Sequence, residues 1–402
     1  ARMANELWPA GQEELCNTDD APQPTAALIR PEDLCSPENL WAIWRNVRQA
    51  YYVSPSWRPD FYVSLAYCGF ISVSQAVPAR TGSETIPLLI PEIQRTYGVL
   101  RFADLHIERN VRKRAAHYEL RFDTVFEEVL SALLAYHAEN CWLLPEYCDL
   151  LRALHCRGPV DILLSETGAK LEVHSIELFD RETGELVAGE VGYAIGTVFT
   201  SLTGFTRAGH PSAGKVQLIG LACVLQKSGF SFWNLGHPPR EATESSPASM
   251  IYKREIGVSV VPRREFLRIW IDARDRPLVR LPPPCSASAD EGTPQRQTPA
   301  THKPATPQKP APITTPAPQA EAAHTTKDEA IPAIQGTQEG AGSHVRMMSL
   351  GGAVQADGGA SMGIAGSTGA GDRGAGDGGA AGDGPRSARG LDVQALIRGF
   401  LA

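Results

Sequence analysis

The sequence has no long hydrophobic run. None of its apolar stretches reaches the length of about 18 residues that a membrane-spanning helix needs. Its first residues also lack the charged-then-apolar layout of a secretory signal peptide. These absences argue against membrane and secreted proteins, and we expect a soluble protein of the cytoplasm.

The eight cysteines form no Cys-x-x-Cys pair, and no group of them has the spacing of metal ligands. Scattered cysteines of this kind indicate free thiols in a reducing compartment rather than a disulfide framework. The sequence therefore predicts no bound metal.

Neither sign of charge dominates, because 38 Lys and Arg oppose 45 Asp and Glu and leave a net charge of −7 at pH 7. This balance does not indicate a protein that binds nucleic acid over its whole surface, so any such contact needs a local basic patch. A Ser/His/Asp or Cys/His arrangement with recognisable spacing is also missing.

Aromatic residues and isoleucine are concentrated between residues 27 and 282, and from Pro283 the chain is rich first in Pro, Ala and Thr and then in Gly, Ala and Asp. Such a composition buries too little apolar surface to offset the entropy lost on ordering. For the final LDVQALIRGFLA, a short docking helix and a chance apolar end are both open. We predict a loose arm at 1–35, a helical and strand element with a basic cluster at 36–120, a folded domain at 121–282 and a disordered tail at 283–402.

Helix signals are clearest in the first half of the chain. Ser36-Pro37-Glu38 combines a hydroxyl cap, a proline at the first helical position and an acid in the first turn. Residues 123–140 place their apolar side chains on one stripe. A further helix is expected from Pro145, with Gly158 just after its end.

Beyond this helix the hydrophobic period changes from 3.6 to 2. Residues 173–180, 186–195 and 196–205 predict three strands of an antiparallel meander. A helix from Lys215, terminated by Gly229, and the short strand FSFWNL follow. The order β-β-β-α-β predicts an α+β fold in which helices cover one sheet.

The segment GHPSAGKV, residues 209–216, is close to a phosphate-binding loop between a strand and a helix. Val216 replaces the hydroxyl residue that would bind magnesium, and Pro211 removes an amide donor, which argues against a nucleotide hydrolase. The helix start with Lys215 in its first turn is still suited to a phosphate or ester oxygen.

The segment HIERNVRKR, residues 106–114, holds four cations in one or two helical turns: Arg109, Arg112, Lys113 and Arg114. Two interpretations are open, a solvated face and a contact to a nucleic-acid backbone. The aromatic residues Trp142 and Tyr147 make the second more attractive, since exposed aromatic side chains stack on unpaired bases. For Trp142, packing in the core at a helix start is equally open.

The order of these motifs resembles the leucyl/phenylalanyl-tRNA–protein transferases. The segments that carry the resemblance lie within residues 58–270 and are HIERNVRK, YELRFDTVFEEVL, CWLLPEYCDLLRALH, VHSIELFDRETGELVAGEVGYAIGTVFTSLTGFTR, SAGKVQLIGLACVLQKSGF and VVPRREFL. DFYVSLAYCGFISV is similar to a shortened form of the family's N-terminal element.

The resemblance implies an acetyltransferase-like (GNAT) core in residues 121–282. It implies transfer of Leu or Phe from aminoacyl-tRNA to the N-terminal Lys or Arg of a protein, which marks that protein for degradation. Aminoacyl-tRNA is then a co-substrate, no cofactor is needed, and we expect a monomer.

Site residues follow from the same resemblance. The pocket for the apolar side chain would be formed by Phe199, Ser201, Leu202, Thr203 and Gly204, with Trp233 on the next strand. The positions implied for tRNA binding are Arg109, Arg112, Lys113, Arg114, Trp142 and Lys215.

The sequence departs from the family at its acids. Leu202 stands where bacterial members have the glutamate of Gly-Glu-Ser, and Asn234-Leu235-Gly236 stands where they have Asp-x-Gln. Asn234 can accept a hydrogen bond but is a poor base, and His237 is the nearest titratable substitute. These two residues are the catalytic candidates.

Two other functions stay open. The lost acids favour a non-catalytic relative that binds tRNA or basic N-termini. A coenzyme-A-dependent N-acetyltransferase fits less well, because RAGHPSAG has its glycines at the wrong offsets for a pyrophosphate loop.

Overall fold

The computed structural model describes residues 26–79, 84–138, 141–240, 250–281 and 390–401. They form a mixture of helices and strands, as the sequence predicted for an α+β protein. The first elements along the chain are β1 (Ala27–Leu28), α1 (Pro31–Cys35), α2 (Pro37–Arg45), β2 (Tyr52–Val53), α3 (Pro59–Tyr67), β3 (Ile71–Pro78), β4 (Thr85–Glu92), β5 (Thr96–Leu100), α4 (Arg109–Arg114) and β6 (Tyr118–Phe122).

The elements that follow are α5 (Phe126–His137), α6 (Pro145–Arg157), β7 (Val160–Asp161), β8 (Lys170–Asp180), β9 (Leu186–Ile195), β10 (Val198–Thr206), α7 (Ala213–Ser228), β11 (Phe232–Asn234), α8 (Ile251–Glu255), β12 (Ser259–Pro262), α9 (Arg263–Arg274), β13 (Leu391–Asp392) and α10 (Val393–Leu401). Two short 3-10 helices flank α4, at Phe102–Asp104 and Ala115–His117. None of the helices in the described ranges is both long and apolar enough to cross a bilayer.

The predicted helix boundaries agree closely with the structure. The Ser36 hydroxyl accepts a hydrogen bond from the Asn39 amide at 3.3 Å and caps α2 at its start. Gly158 and Gly229 follow α6 and α7 with φ angles of +65° and +92°, a region that L side chains rarely adopt. Capping chemistry therefore fixed these ends, as the sequence indicated.

Nine strands within the described ranges form one sheet in the order β12-β5-β11-β10-β9-β8-β6-β13, with β7 added to β8. The predicted antiparallel meander is β8–β9–β10. The predicted strand after α7 is β11, which pairs parallel to β10. Two smaller sheets join β1 to β2 and β3 to β4.

Helices cover both faces of this sheet. One apolar cluster packs α3, α5, α6 and α9 against it, and a second cluster packs α4, α7, α8 and α10. Every residue of β9 is consequently buried, which explains why this strand reads as nearly continuous apolar sequence.

Strands β10 and β11 separate soon after they meet. Their pairing covers only Val198–Thr200 and Phe232–Asn234, although β10 continues to Thr206. A register shift between Ser201 and Thr203 marks a bulge at the point of separation. A gap therefore opens in the sheet beyond this point.

The C-terminal end is ordered, in contrast to the tail predicted from its composition. β13 pairs with β6 at Leu391 and Asp392, and α10 packs on α7 and α4. Val393 and Ile397 are 0% and 2% exposed, so the burial of their apolar side chains holds α10 in place. Residues 283–389 lie outside the described ranges.

The predicted loose arm also needs correction at its inner end. Residues 26–35 contain β1 and α1, and Ile29 and Leu34 are buried in the core. The proposed segment boundaries stay a prediction, and the one after residue 120 falls inside β6.

Candidate functional site

A narrow cleft lies where β10 and β11 separate, and its walls come from both layers of the protein. One side is formed by β3, through Ile71 and Val73, and by Trp142 in the loop before α6. The other side is formed by α7, through Leu218, and by α8, through Tyr252 and Lys253. Its free volume is about 60 Å³, so the cleft is narrow.

Four of the residues predicted for an aminoacyl pocket line this cleft: Ser201, Leu202, Thr203 and Gly204. The other two, Phe199 and Trp233, are fully buried in the apolar cluster beside it. Trp233 still contacts the cleft, because its indole N–H donates to the Ser201 hydroxyl at 2.8 Å.

The two catalytic candidates differ in position. The Asn234 side chain is buried, donates to the Thr200 hydroxyl at 3.4 Å and accepts from the Gly236 amide at 3.1 Å. These bonds hold the backbone at the end of β11, and Asn234 is not among the residues that line the cleft. His237 lines it, with Nε2 3.1 Å from the Glu92 carboxylate.

Two buried charged residues, neither of which was singled out from the sequence, also line the cleft. Glu190 on β9 is 3% exposed and accepts a hydrogen bond from the Ser201 hydroxyl at 2.7 Å. Burial raises the pKa of Glu190 to about 7, while the Ser201 hydroxyl and the positive charge of Lys253 act in the opposite direction.

Lys253 on α8 is 4% exposed, and its ammonium donates to the carbonyls of Leu235 and His237 at 2.8 and 2.6 Å. Burial lowers the pKa of Lys253 to about 7. Strong pKa shifts of two ionisable groups in one cleft are typical of functional sites.

The basic cluster forms α4, but its members are not equivalent. Arg112 donates to the Ile107 carbonyl, and Arg114 donates to the Pro211 carbonyl and the Ser212 hydroxyl. Arg109 and Lys113 are exposed, and no contact to another side chain is seen for them within the described ranges. One turn apart on the helix, they share a face that is open to an anionic partner.

Lys215 is paired with two carboxylates of the protein itself and is not open to a phosphate. Its ammonium lies 3.1 Å from Glu108, which precedes α4, and 2.7 Å from Glu255 of α8. Burial lowers the pKa of Lys215, but the hydrogen bonds to Glu255 and Glu108 outweigh this and raise it. The two carboxylates already neutralise this cation.

A family model of leucyl/phenylalanyl-tRNA protein transferase matches residues 99–269. The match covers 171 of the 402 residues, from position 99 to position 269. Curated relatives named leucyl/phenylalanyl-tRNA–protein transferase include those of Pseudomonas entomophila, at 34% identity over 131 residues (32% of this chain, 50% of the relative), and Nitrosomonas eutropha, at 28% over 178 residues (43% and 64%). The relative from Stutzerimonas stutzeri is 28% identical over 178 residues (43% and 66%). The chain thus spans about half to two thirds of the length of these relatives.

The segment that matches the transferase family contains both α4 and most of the cleft. Trp142 also lies in this segment, but neither it nor Tyr147 offers the exposed aromatic surface on which an unpaired base could stack. Trp142 and Tyr147 are 5% and 0% exposed and pack edge to face at 5.0 Å. Trp142 is therefore a wall of the cleft.

Three charged residues that line the cleft were not predicted from the sequence or from its resemblance to the transferase family: Glu92, Glu190 and Lys253. A signal for Glu190 was present, since it is a lone acid within the apolar strand LVAGEVGYAI, and a buried charge costs too much to be retained without a partner or a role. No cluster of three or more metal-binding side chains occurs in the part of the chain that the structure describes.

Proposed function

We propose that this chain transfers an apolar amino acid, leucine or phenylalanine, from aminoacyl-tRNA to the N-terminus of an acceptor protein. The observation that carries the proposal is the family match over residues 99–269, which spans the basic helix α4 and both strands that form the cleft. In this proposal the exposed Arg109 and Lys113 contact the tRNA backbone, and Leu202, Thr203 and Gly204 surround the transferred side chain.

The chemistry needs little from the protein beyond placement. The donor is an activated ester, and holding an amine next to it in attack geometry supplies a large part of the rate. We propose an acetyltransferase-like core for this purpose, because three antiparallel strands, a helix and a splayed parallel strand place the cleft at the centre of the sheet.

The carboxylates of the cleft favour a cationic acceptor, because the Lys253 ammonium is already held by two backbone carbonyls. Glu92 and Glu190 bring two carboxylates into a space with little solvent, where attraction to a positive charge is stronger than in water. We therefore propose an N-terminal Lys or Arg as acceptor, with His237 rather than Asn234 facing it. Degradation of the modified protein and a cytoplasmic, monomeric enzyme are part of the same proposal.

The test is a transfer assay with the full chain, tRNA charged with labelled Leu or Phe, and peptides that differ only in a first residue of Lys or Ala. We expect label in the Lys peptide and little in the Ala peptide. Binding of charged tRNA without any transfer would contradict the proposal and favour the non-catalytic relative.

We predict that the double variant Arg109→Ala, Lys113→Ala binds tRNA more weakly. Its affinity for tRNA should also depend less steeply on the salt concentration. Each lost phosphate contact should reduce the slope of log affinity against log salt by about 0.7–0.9. The matched control replaces Arg157 and Lys227, which are exposed on α6 and α7 outside the cluster. Equal slopes for the two double variants, measured by filter binding, would show that α4 is only a solvated face.

We also predict that Leu202→Ala shifts the donor preference toward phenylalanine. Leu202 lines the narrow cleft, and its truncation to alanine enlarges the space there. The ratio of kcat/KM for Phe over Leu should rise about 10-fold, the usual effect of a few methylene groups in an apolar pocket. Leu164→Ala, also half-buried but outside the cleft, should leave the ratio unchanged.

A further inference from the structure

Glu190 places a carboxylate in the cleft from an unexpected strand. It lies on β9, opposite Gly204 of β10, while Leu202 occupies the position that the resemblance gives to the family's glutamate. Glu190 and Leu202 line the same cleft. The acid that is missing from β10 is thus replaced in space by one from the neighbouring strand.

A chain of two hydrogen bonds orients this carboxylate. The Trp233 indole, which can only donate, donates to the Ser201 oxygen at 2.8 Å. Ser201 therefore directs its own proton to Glu190, at 2.7 Å. Trp233 is fully buried, so the direction of both bonds is fixed by packing.

The other ionisable groups around the cleft are less suited to accept a proton from a substrate. The Lys253 ammonium is held by two carbonyls, and His237 is paired with Glu92. His137, on α5, reaches only the Thr203 hydroxyl, at 2.8 Å, and burial lowers its pKa. Burial raises the pKa of the Tyr252 hydroxyl on α8 far above neutrality.

We propose that Glu190 is the catalytic base that takes the proton from the α-amino group of the acceptor, an inference that rests on the proposed transferase function. The amine nitrogen attacks the ester carbonyl carbon, and the new C–N bond forms. The bond between that carbon and the ribose oxygen then breaks. The proton leaves the nitrogen for Glu190 and passes to the departing oxygen, so that tRNA leaves with a free hydroxyl and Glu190 is again a carboxylate.

The pH dependence follows from the site. Because burial raises the pKa of Glu190 to about 7, its base form accumulates as the pH rises through that value. A base with a pKa near the working pH is the most effective in proton transfer. The acceptor amine itself titrates at about 8, so the limb that belongs to Glu190 is identified by its loss in Glu190→Gln.

The experiment compares the full chain with Glu190→Gln in single-turnover transfer from about pH 5.5 to about pH 9. This range extends about one unit or more beyond the pKa values of the Glu190 carboxyl and the acceptor amine. We expect the single-turnover rate constant to fall about 100-fold or more, the usual contribution of a positioned base, and the limb near pH 7 to disappear. In Glu190→Ala, added formate should restore part of the rate.

The matched control is Glu177→Gln on β8. Glu177 is also a buried carboxylate that accepts from a serine hydroxyl, that of Ser175, but it does not line the cleft. Its rate and pH profile should match the unchanged chain. His237→Asn tests the nearest competitor and should keep the limb near pH 7.

Transfer by the unchanged chain together with an unaltered rate and pH profile in Glu190→Gln would overturn the assignment and leave the proposed function intact. Loss of the limb in His237→Asn instead would also overturn it. Failure of the unchanged chain to transfer from any charged tRNA would overturn the proposed function and the assignment with it.

Discussion

Arg263→Met should lower the free energy of unfolding by about 4 kcal/mol, because it removes the donor from two buried and two partly buried carbonyls, and a buried carbonyl left unpaired costs about 1–3 kcal/mol. Arg263 is 0% exposed at the start of α9. Its guanidinium donates to the carbonyls of Gln94 and Asn46, both at 2.8 Å, and to those of Gln49 and Ile93. One side chain therefore joins the loop after α2 to the segment between β4 and β5.

The measurement is urea unfolding, with Arg268→Met as the control. Arg268 is exposed on the same helix, and its replacement should change the free energy of unfolding by less than about 0.5 kcal/mol. Arg263→Lys keeps the charge but lacks the planar fork of donors, so we expect an intermediate loss. A loss of less than about 1 kcal/mol in Arg263→Met would mean that the carbonyls find other donors.

Ile397→Asp should detach α10 and cost about 3 kcal/mol, since it gives up the burial of one large apolar side chain and places a carboxylate against an apolar cluster. Ile397 is 2% exposed, and α10 packs closely on α7. At Gly220, a Cβ atom would lie only 3.1 Å from the Val393 side chain. The loss cannot exceed the free energy with which α10 docks, because the helix can leave the surface.

Hydrogen exchange of the β6 amides tests whether α10 detaches in Ile397→Asp. If α10 and β13 detach together, the amides of β6 that pair with Leu391 and Asp392 should exchange faster. Leu401→Asp is the control, because Leu401 is 48% exposed on the same helix and should leave exchange unchanged. Equal exchange in both variants would show that β13 stays paired without α10.

The order of the central elements was predictable from the sequence because each is coded locally. The period of two in β8, β9 and β10, the cap at Ser36 and the glycine after α7 are short-range signals, and the structure confirms them. The parallel pairing of β11 with β10 and the gap beyond it were not predicted. They depend on where the chain returns after α7, which no local pattern encodes.

The same division applies to the cleft. Ser201 to Gly204 were predicted as a group because they are neighbours in a segment whose surroundings resemble the family, although Leu202 itself departs from it. Glu190 comes close to them only through the register of β9 on β10, and Lys253 only through the placement of α8. For Trp142 the sequence left exposure and core packing open, and the structure encloses it between β3 and α6. Roles for Asn234 and His237 stay predictions.

The pairing of β13 with β6 closes a contact across about 270 residues of chain, from Leu120 to Leu391. Until residue 391 is available, β6 presents a row of unpaired amides and carbonyls at the edge of an otherwise formed sheet. Such edges recruit other strands, and contacts so far apart in sequence form slowly. We therefore expect a chain in which β13 has not docked to be prone to aggregation, and a synthetic peptide of residues 390–401 added during refolding should raise the yield of soluble protein.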